Sequence, residues 1–541
     1  MKKAFLLTFL IICFQNHAQT VGLMQHDSGS LDDGYVLFAP NTNTTTYLID
    51  KCGAQVKTWP STYRPGQSCY LLPDGTLLRT GNVNNSIFTA GGTGGIIEKI
   101  DWNGNVTWSY TVSDATKCQH HDIKALPNGN ILIIAWELKT NTQAIAAGRN
   151  PALVPATVWS EQIIEVQPSG TNGGTIVWEW HLWDHLIQDF DASKANYGVI
   201  ANNPHLININ YNASATNSDW IHLNSIDYNP ILDQILVSSH NMDEVWIIDH
   251  STTTAQAATH SGGNANKGGG LIYRWGNPAA YNNGTTANQK LYGQHNARWI
   301  ESGFPFENQI MIFNNGIGRP GGNYSTVEII NPPVSGATYT ATLPYLPLNT
   351  SWNYNEGNPN NLYSQNISGA QPLSNGNVLV CSGSNGTFTE ATSTGTQVWK
   401  YTNPVKNTGI ISQGTTPTQN SVFRCSFYPS SYSGFANHTL TSGSTIENTN
   451  TVSASCNLLS VTDYEAYANV KLYPNPTTDQ VTLTSENQPI ALVTVSNMQG
   501  QLIWSQTVAN QNSVTIDLSP YQTGIYLLTI NQSTTLKVLK N

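Results

Sequence analysis

Four histidines of this chain, His121, His222, His240 and His295, are the residues best placed to do chemistry together. His121, His222 and His295 each open an apolar stretch that runs into a turn, and His240 closes the strand returning from the His222 turn. Near neutral pH an imidazole is a nucleophile, a base or an acid; protonated, it donates to anionic oxygens. Arg319, in IMIFNNGIGRPGG, follows the equivalent strand of the His295 copy and adds a planar fork for an oxyanion. A site that grips a tetrahedral oxyanion and passes it to a nucleophilic nitrogen needs both kinds of group. Metal ligation through His120, His121 and Asp122 is the competing chemistry. Neighbouring residues on a strand face opposite ways, so His120 and His121 should not share one channel, and no metal is expected.

Such residues meet only if the elements that carry them repeat. The turns Leu72-Pro73-Asp74-Gly75, Leu126-Pro127-Asn128-Gly129 and Leu373-Ser374-Asn375-Gly376 each lead into a short aliphatic run, at 76–78, 131–134 and 378–380. That is a hairpin signature. Outer segments ending in Trp, such as IIEKIDWNGNVTWSY and FTEATSTGTQVWKY, complete a unit that recurs near 34–59, 67–108, 119–180, 222–276, 295–345 and 367–401. Periods of roughly 40 to 60 residues with four short strands each predict an all-β fold, a six-bladed β-propeller, with a β-sandwich array as the alternative. The first copy lacks a clear inner hairpin, and 410–428 is expected to close the ring. Aligned on their turn glycines, His121, Gln67 and Ser368 occupy one offset, so the histidines should converge at one channel mouth. An insertion at 181–219 reads as a lid or rim, with Asp184 and His185 at the surface. Trp178, Trp275 and Trp399 read as packing anchors, whereas Trp180, Trp183 and Trp220 could flank an aromatic substrate.

The formal net charge of −10 and the absence of a basic, aromatic-interleaved run argue against nucleic acid as a partner. Lys2 and Lys3 precede an apolar run over 4–13, which predicts a signal peptide over 1–18 that is too short to span a membrane. Beyond Cys13 lie Cys52, Cys69, Cys118, Cys381, Cys425 and Cys456, with no CxxC spacing; disulfides and buried thiols both remain open. The propeller is assigned 19–428 and a Ser/Thr/Asn-rich linker 429–466; a small β-sandwich with no clustered His, Cys or acid follows over 467–541.

Tyr473-Pro474-Asn475-Pro476, Gly524-Ile525-Tyr526 and the basic Lys537 and Lys540 make this last domain resemble the C-terminal sorting domain of the type IX secretion system of Bacteroidetes-type bacteria. The resemblance implies passage across the outer membrane, with the type IX machinery as partner and a secreted or cell-surface product. The stretches QHHDIKALPNGN, DWIHLNSIDYN, ILVSSHNMDEVWIIDHS, GQHNARWI, FNNGIGRPGG and ISGAQPLSNGNVLVCSG make the larger domain resemble the arylsulfate sulfotransferase family. That resemblance implies a propeller that moves a sulfuryl group from a phenyl sulfate ester to another phenol through a sulfated histidine, with no nucleotide sulfate donor or other cofactor. By the same resemblance His295 is the nucleophile, and His121 and His222 contact the sulfuryl oxygens or the phenolic proton; His240, Arg319, His120 and Asn224 are expected to bind substrate. The family usually has Arg at the place of His240. Either Arg319 substitutes for it, or activity favours mildly acidic pH, where His240 is protonated. A non-catalytic propeller binding a sulfated, phenolic or glycan ligand, and an aryl sulfate hydrolase, are the rival readings.

Overall fold

The computed structural model describes residues 19–340, 342–356, 362–447, 456, 470–485, 489–497, 501–531 and 534–541. The expected signal peptide, 1–18, and most of the expected linker beyond 447 lie outside the described residues. The chain divides into two compact units, 1–452 and 453–541.

The first unit is a β-propeller. Its strands are short and aliphatic, and several, such as Gln234–Ser239 and Glu244–Asp249, are buried at every position. Both faces of such a strand are covered, which a stack of sheets around an axis achieves. Among the described residues the unit holds six antiparallel sheets of four or five strands, besides three two-stranded pairs. The first strands of the six, Pro65–Leu71, Lys117–Ala125, Leu223–Asn229, His295–Trp299, Gly369–Pro372 and Val422–Pro429, touch one another in cyclic order. They therefore line a central channel. The ring closes as the sequence suggests: Val422–Pro429 is the inner strand of the sheet that the N-terminal Gly34–Pro40 continues, with Phe427 opposite Val36. The preceding segment, Gly22–His26, is an added outer strand on Gln397–Thr402.

Each sheet carries an outer-strand tryptophan whose indole N–H reaches the next sheet or its loops. Trp59 donates to Asp101 O (3.1 Å), Trp108 to Gly173 O (2.7 Å) and Trp178 to Thr252 Oγ1 (3.2 Å). Trp275 donates to Pro347 O (2.8 Å), Trp352 to Ser393 O (3.0 Å) and Trp399 to Lys51 O (2.7 Å), returning to the first sheet. The expected packing role of Trp178, Trp275 and Trp399 thus has a second, polar part.

The insertion is not a loose rim. Leu182, Leu186, Ile187, Ile200, Ile207 and Ile209 are buried, and Leu186–Ile187 pairs in parallel with Ile207–Asn208. His185, expected at the surface, is buried against Trp180 and bonds Ala257 O through Nε2 (2.9 Å). Trp180 and Trp220 are also core residues rather than walls for a substrate. Their indoles donate to Gly269 O (2.7 Å) and Tyr211 O (2.9 Å), and aliphatic side chains surround them. Trp183 is half-buried under the Lys139 ammonium. Cys69, Cys118, Cys381 and Cys425 are buried free thiols. After the closing strand, 433–435 forms a 3-10 turn that buries Phe435 beside Leu37 and Trp59.

The second unit holds a three-stranded sheet, Val470–Tyr473, Gln480–Ser485 and Ser513–Asp517, and a four-stranded sheet from Leu502–Gln511, Ile490–Asn497, Gly524–Ile530 and Thr534–Lys540. Val481, Leu483, Val493, Val495, Ile516, Leu528 and Ile530 form its core. Alternation of apolar and polar residues along these strands gives each sheet one buried face.

Candidate active site

The upstream ends of the inner strands share a backbone device. Gln67, His121, His222, Asn296, Ile367 and Ser368 all have positive φ, between 49° and 103°, though none is glycine. Strand pairing slips at these places, by two residues between Ile133 and Ala135 and by one between Leu223 and Ser225 and between His295 and Arg298. Such bulges turn a side chain out of the pleat, and they concentrate at binding and catalytic sites. Here they turn imidazoles into the channel. Gly92 makes room for one: a Cβ there would lie 1.9 Å from His121 Cε1.

The four histidines form a chain of edge-to-face rings. Centroids lie 4.5 Å apart for His121 and His222, 5.3 Å for His222 and His240, and 5.4 Å for His240 and His295. His121, His222 and His295 come from three sheets, and His240 follows the strand paired with that of His222. Phe423, on the closing strand, packs 6.0 Å from His121.

Each ring is held by a different partner. Asn315 Nδ2 donates to Ser364 O (2.8 Å) and Ile367 O (3.0 Å), so its Oδ1 is the acceptor facing His295 Nδ1 at 2.8 Å. The His295 proton is thereby fixed on Nδ1, and Nε2 keeps its lone pair, which accepts the Ile367 N–H at 3.2 Å. Burial, then the positive field of His240, holds the His295 pKa well below the usual histidine range. His222 Nδ1 bonds Asp219 Oδ2 at 2.5 Å, and the other oxygen of Asp219 accepts the Trp136 indole N–H (3.1 Å). Burial works against charge on His222, but the Asp219 carboxylate and its hydrogen bond outweigh it and raise the pKa. His240 Nδ1 bonds Asn241 Oδ1 (2.8 Å); burial and the charge of His222 push its pKa down to about 4. A pKa near 4 favours neutral His240 at neutral pH and speaks against an acid optimum set by its protonation.

The remaining candidates divide. His120 is fully buried behind His121, stacked on Trp136 with centroids 4.0 Å apart, and faces the sheet interior rather than the channel. Its Nδ1 lies 2.9 Å from His121 Nδ1 and its Nε2 lies 2.8 Å from Glu161 Oε2. Asn224 is buried and donates to Gln294 O (2.7 Å), and its carbonyl oxygen has no partner. Arg319 is not drawn to the histidines. Its guanidinium bonds Thr326 Oγ1 (3.0 Å), lies 3.6 Å from Glu328 and stacks on Tyr324, all in its own sheet and the adjoining loop. Arg424 of the closing strand, which adds a smaller positive field at His295, bonds Asp122 Oδ2 (3.0 Å) and Tyr70 Oη (2.7 Å) lower in the channel.

Sequence reasoning missed Asp219, Glu161, Asn315 and Arg424. Asp219 had a local signal, three residues before His222; the others reach the site from separate strands. Two cavities of about 480 and 460 Å3 open at the opposite ends of the inner strands, lined by Lys124, Asp227, Trp299 and Tyr428 among others. No histidine lines either, so the convergence of titratable groups, not volume, marks the candidate active site.

Several solved structures overlay most of the first unit at low identity. A protein of unknown function from Bacteroides caccae is 11% identical, with a TM-score of 0.40, over 73% of this chain and 98% of that one. Virginiamycin B lyase from Staphylococcus aureus is 11% identical, with a TM-score of 0.33, over 71% and 89%. The Cps50 (Swd1) β-propeller domain of Myceliophteria thermophila is 10% identical, with a TM-score of 0.33, over 71% and 86%. No curated protein matches the chain. Residues 471–541 match the secretion system C-terminal sorting domain, which indicates export to the cell surface or the medium. Residues 24–426 match the model of the arylsulfotransferase (ASST) family, and the chain belongs to that family.

Proposed function

We propose that the first unit moves a sulfuryl group from an aryl sulfate ester to a phenolic acceptor by double displacement through His295. The single observation that carries this reading is the Asn315 clamp, which leaves the lone pair of His295 on Nε2 in a buried cluster of three further imidazoles. Family membership supports aryl sulfotransferase activity in general. In the first half, Nε2 gives up the Ile367 N–H and attacks sulfur, the S–O bond to the aryl group breaks, and the leaving phenolate takes a proton from a neighbouring histidine. In the second half, an acceptor phenol gives up its proton, its oxygen attacks sulfur, and the N–S bond breaks.

The sulfuryl oxygens need a cation, and His240 does not supply it. We assign that role to His222, whose pKa Asp219 raises against burial and which reaches His295 through the His240 ring. Two unit charges about 4 Å apart attract by roughly 4 kcal/mol at an effective dielectric of 20. His222 thus takes over the electrostatic work that the family usually gives to arginine at the place of His240. Natural donors and acceptors are small aryl sulfates and phenols in this reading, and no cofactor is required.

Incubation with a chromogenic phenyl sulfate, with and without an added phenol, tests the reaction. Chromophore release only with phenol is expected, along with a sulfuryl adduct on the His295 peptide of acid- or alkali-quenched enzyme. Release without acceptor points to hydrolysis. Active enzyme with an unmodified His295 peptide overturns the intermediate.

A further inference from the structure

Two buried residues behind the cluster take no direct part in this scheme, and their hydrogen bonds end on His121. Glu161 Oε1 accepts the Leu223 N–H (2.9 Å), and Glu161 Oε2 meets His120 Nε2 at 2.8 Å. His120 Nδ1 meets His121 Nδ1 at 2.9 Å, and His121 Nε2 has no hydrogen bond among the described residues. Glu161 and His120 are both fully shielded from solvent, and His120 is locked flat against Trp136.

We propose that Glu161 and His120 form a proton relay that sets, and during turnover reverses, the tautomer of His121. The proposal rests on the sulfotransferase reading. The two imidazole nitrogens in contact cannot both carry a proton in neutral rings, and they cannot both lack one and still bond. One choice therefore fixes the other. If Glu161 is protonated, its O–H donates to His120 Nε2, His120 donates from Nδ1, and His121 carries its proton on Nε2. If Glu161 is a carboxylate, His120 donates from Nε2, His121 donates from Nδ1, and His121 Nε2 holds a lone pair. The buried carboxyl group thus decides whether the site meets an acid or a base.

Burial, above all, raises the Glu161 pKa and lowers those of His120 and His121, against opposing or additional fields from Asp219, His222, His240 and His295. All three directions favour the acid form as the starting state of the relay. In the first half-reaction His121 Nε2–H protonates the leaving aryl oxide, His120 Nδ1 passes its proton to His121 Nδ1, and Glu161 passes its proton to His120 Nε2. The site ends as a carboxylate behind a basic His121, beside His295 bearing the sulfuryl group. Charge balances: the donor enters as a monoanion, the first phenol leaves neutral, and the negative charge remains on Glu161. In the second half the acceptor phenol gives its proton to His121 Nε2, and the relay runs backward. Glu161 and His120 are positioning residues in this scheme, since only His121 meets the substrate.

The test is the dependence of rate on the leaving group. Glutamine keeps the shape of Glu161 and can donate to His120, but it has no proton to give up. In Glu161→Gln, transfer from unsubstituted phenyl sulfate, whose leaving group needs a proton, is expected to fall about 100-fold, within the range of general acid catalysis. Transfer from 4-nitrophenyl sulfate, whose leaving group needs little help, is expected to fall less than about 5-fold. Equal losses on both donors would mean that Glu161 only supports the fold, and no loss on either would mean that it is idle; both outcomes overturn the relay. Histidine-selective nitrogen-15 NMR of the unmodified enzyme at neutral pH supplies a readout independent of turnover. The His121 proton is expected on Nε2 and that of His120 on Nδ1; the opposite pair sinks the relay. If the wild type neither transfers nor forms sulfated His295, the sulfotransferase reading fails, and the NMR result still decides the tautomer coupling.

Discussion

At the scale of single residues, the active centre depends on making chemically identical side chains different. Four imidazoles lie within one run of ring contacts, yet Asn315 fixes the His295 proton on Nδ1, and Asp219 raises the His222 pKa against burial. Burial keeps His121 and His240 neutral. Asp219→Asn tests this division. With the carboxylate, the His222 pKa is raised, so the protonated form persists to higher pH and is lost as pH rises through that raised value. Without it, burial dominates and lowers the pKa, so the upper limb of the rate profile should move to lower pH. At neutral pH we expect a rate loss of about 10- to 1,000-fold, the scale of removing one preorganised oxyanion contact. Unchanged limbs, measured as kcat against pH, would show that His222 is not the cation. His121, His222 and His295 were legible in sequence from their repeated register: His222 and His295 stand at the start of their strands, whereas His121 lies in the middle of Lys117–Ala125. The roles of Asn315 and Glu161 were not, because they depend on which side chains meet across separate strands. Arg319 misled for a related reason: it does follow the strand Ile310–Asn314, but Glu328 and Tyr324 of its own neighbourhood hold it.

At the scale of elements, stacked sheets must be held in angular register, or imidazoles from different sheets will not meet. Apolar packing is nondirectional, whereas the indole-to-carbonyl bonds between successive sheets have a defined length and direction. The sequence displayed the tryptophans at the ends of outer strands, but nothing in it displayed the carbonyls they reach. Trp399 is fully buried, and its carbonyl partner on Lys51 has no easy route to water once the indole N–H is gone. Trp352 is only half-buried. Trp399→Phe should therefore cost about 2–4 kcal/mol, combining a lost hydrogen bond, a stranded carbonyl and a small void. Trp352→Phe should cost less than about 1 kcal/mol, because water replaces the donor. Urea midpoints at unchanged m-value read both. Equal shifts would mean that the indole N–H groups add nothing beyond packing.

At the scale of the whole molecule, the site exists only while the ring is closed. The inner strand of the sheet begun by Gly34–Pro40 comes from Val422–Pro429, so the two ends of the propeller chain fold together or not at all. That strand also brings Phe423 against His121 and Arg424 into the channel. The repeat pattern pointed to this closure, because the first copy lacked a clear inner hairpin and 410–428 remained to complete it; one strand, Val422–Pro429, does so. Gly22–His26 differs: it is a fifth, outer strand on a sheet already complete without it. The second unit has its own hydrophobic core and belongs to export. Three truncations should consequently rank in severity. A chain ending before Val470 should keep its aryl sulfate transfer rate within about two-fold and lose only export. Deleting 19–26 should lower stability by about 1–3 kcal/mol, the usual range for a substantial local loss, and leave the turnover of folded enzyme nearly intact. A chain ending before Val422 should not fold, since one open sheet exposes two apolar faces and unpaired strand edges to water. Circular dichroism and limited proteolysis would distinguish the three, and supplying 422–447 as a peptide to the last variant tests closure directly. Recovery of protease resistance together with aryl sulfate transfer is the expected outcome. A stable, active chain without that peptide would mean that the histidines do not need the closed ring to meet.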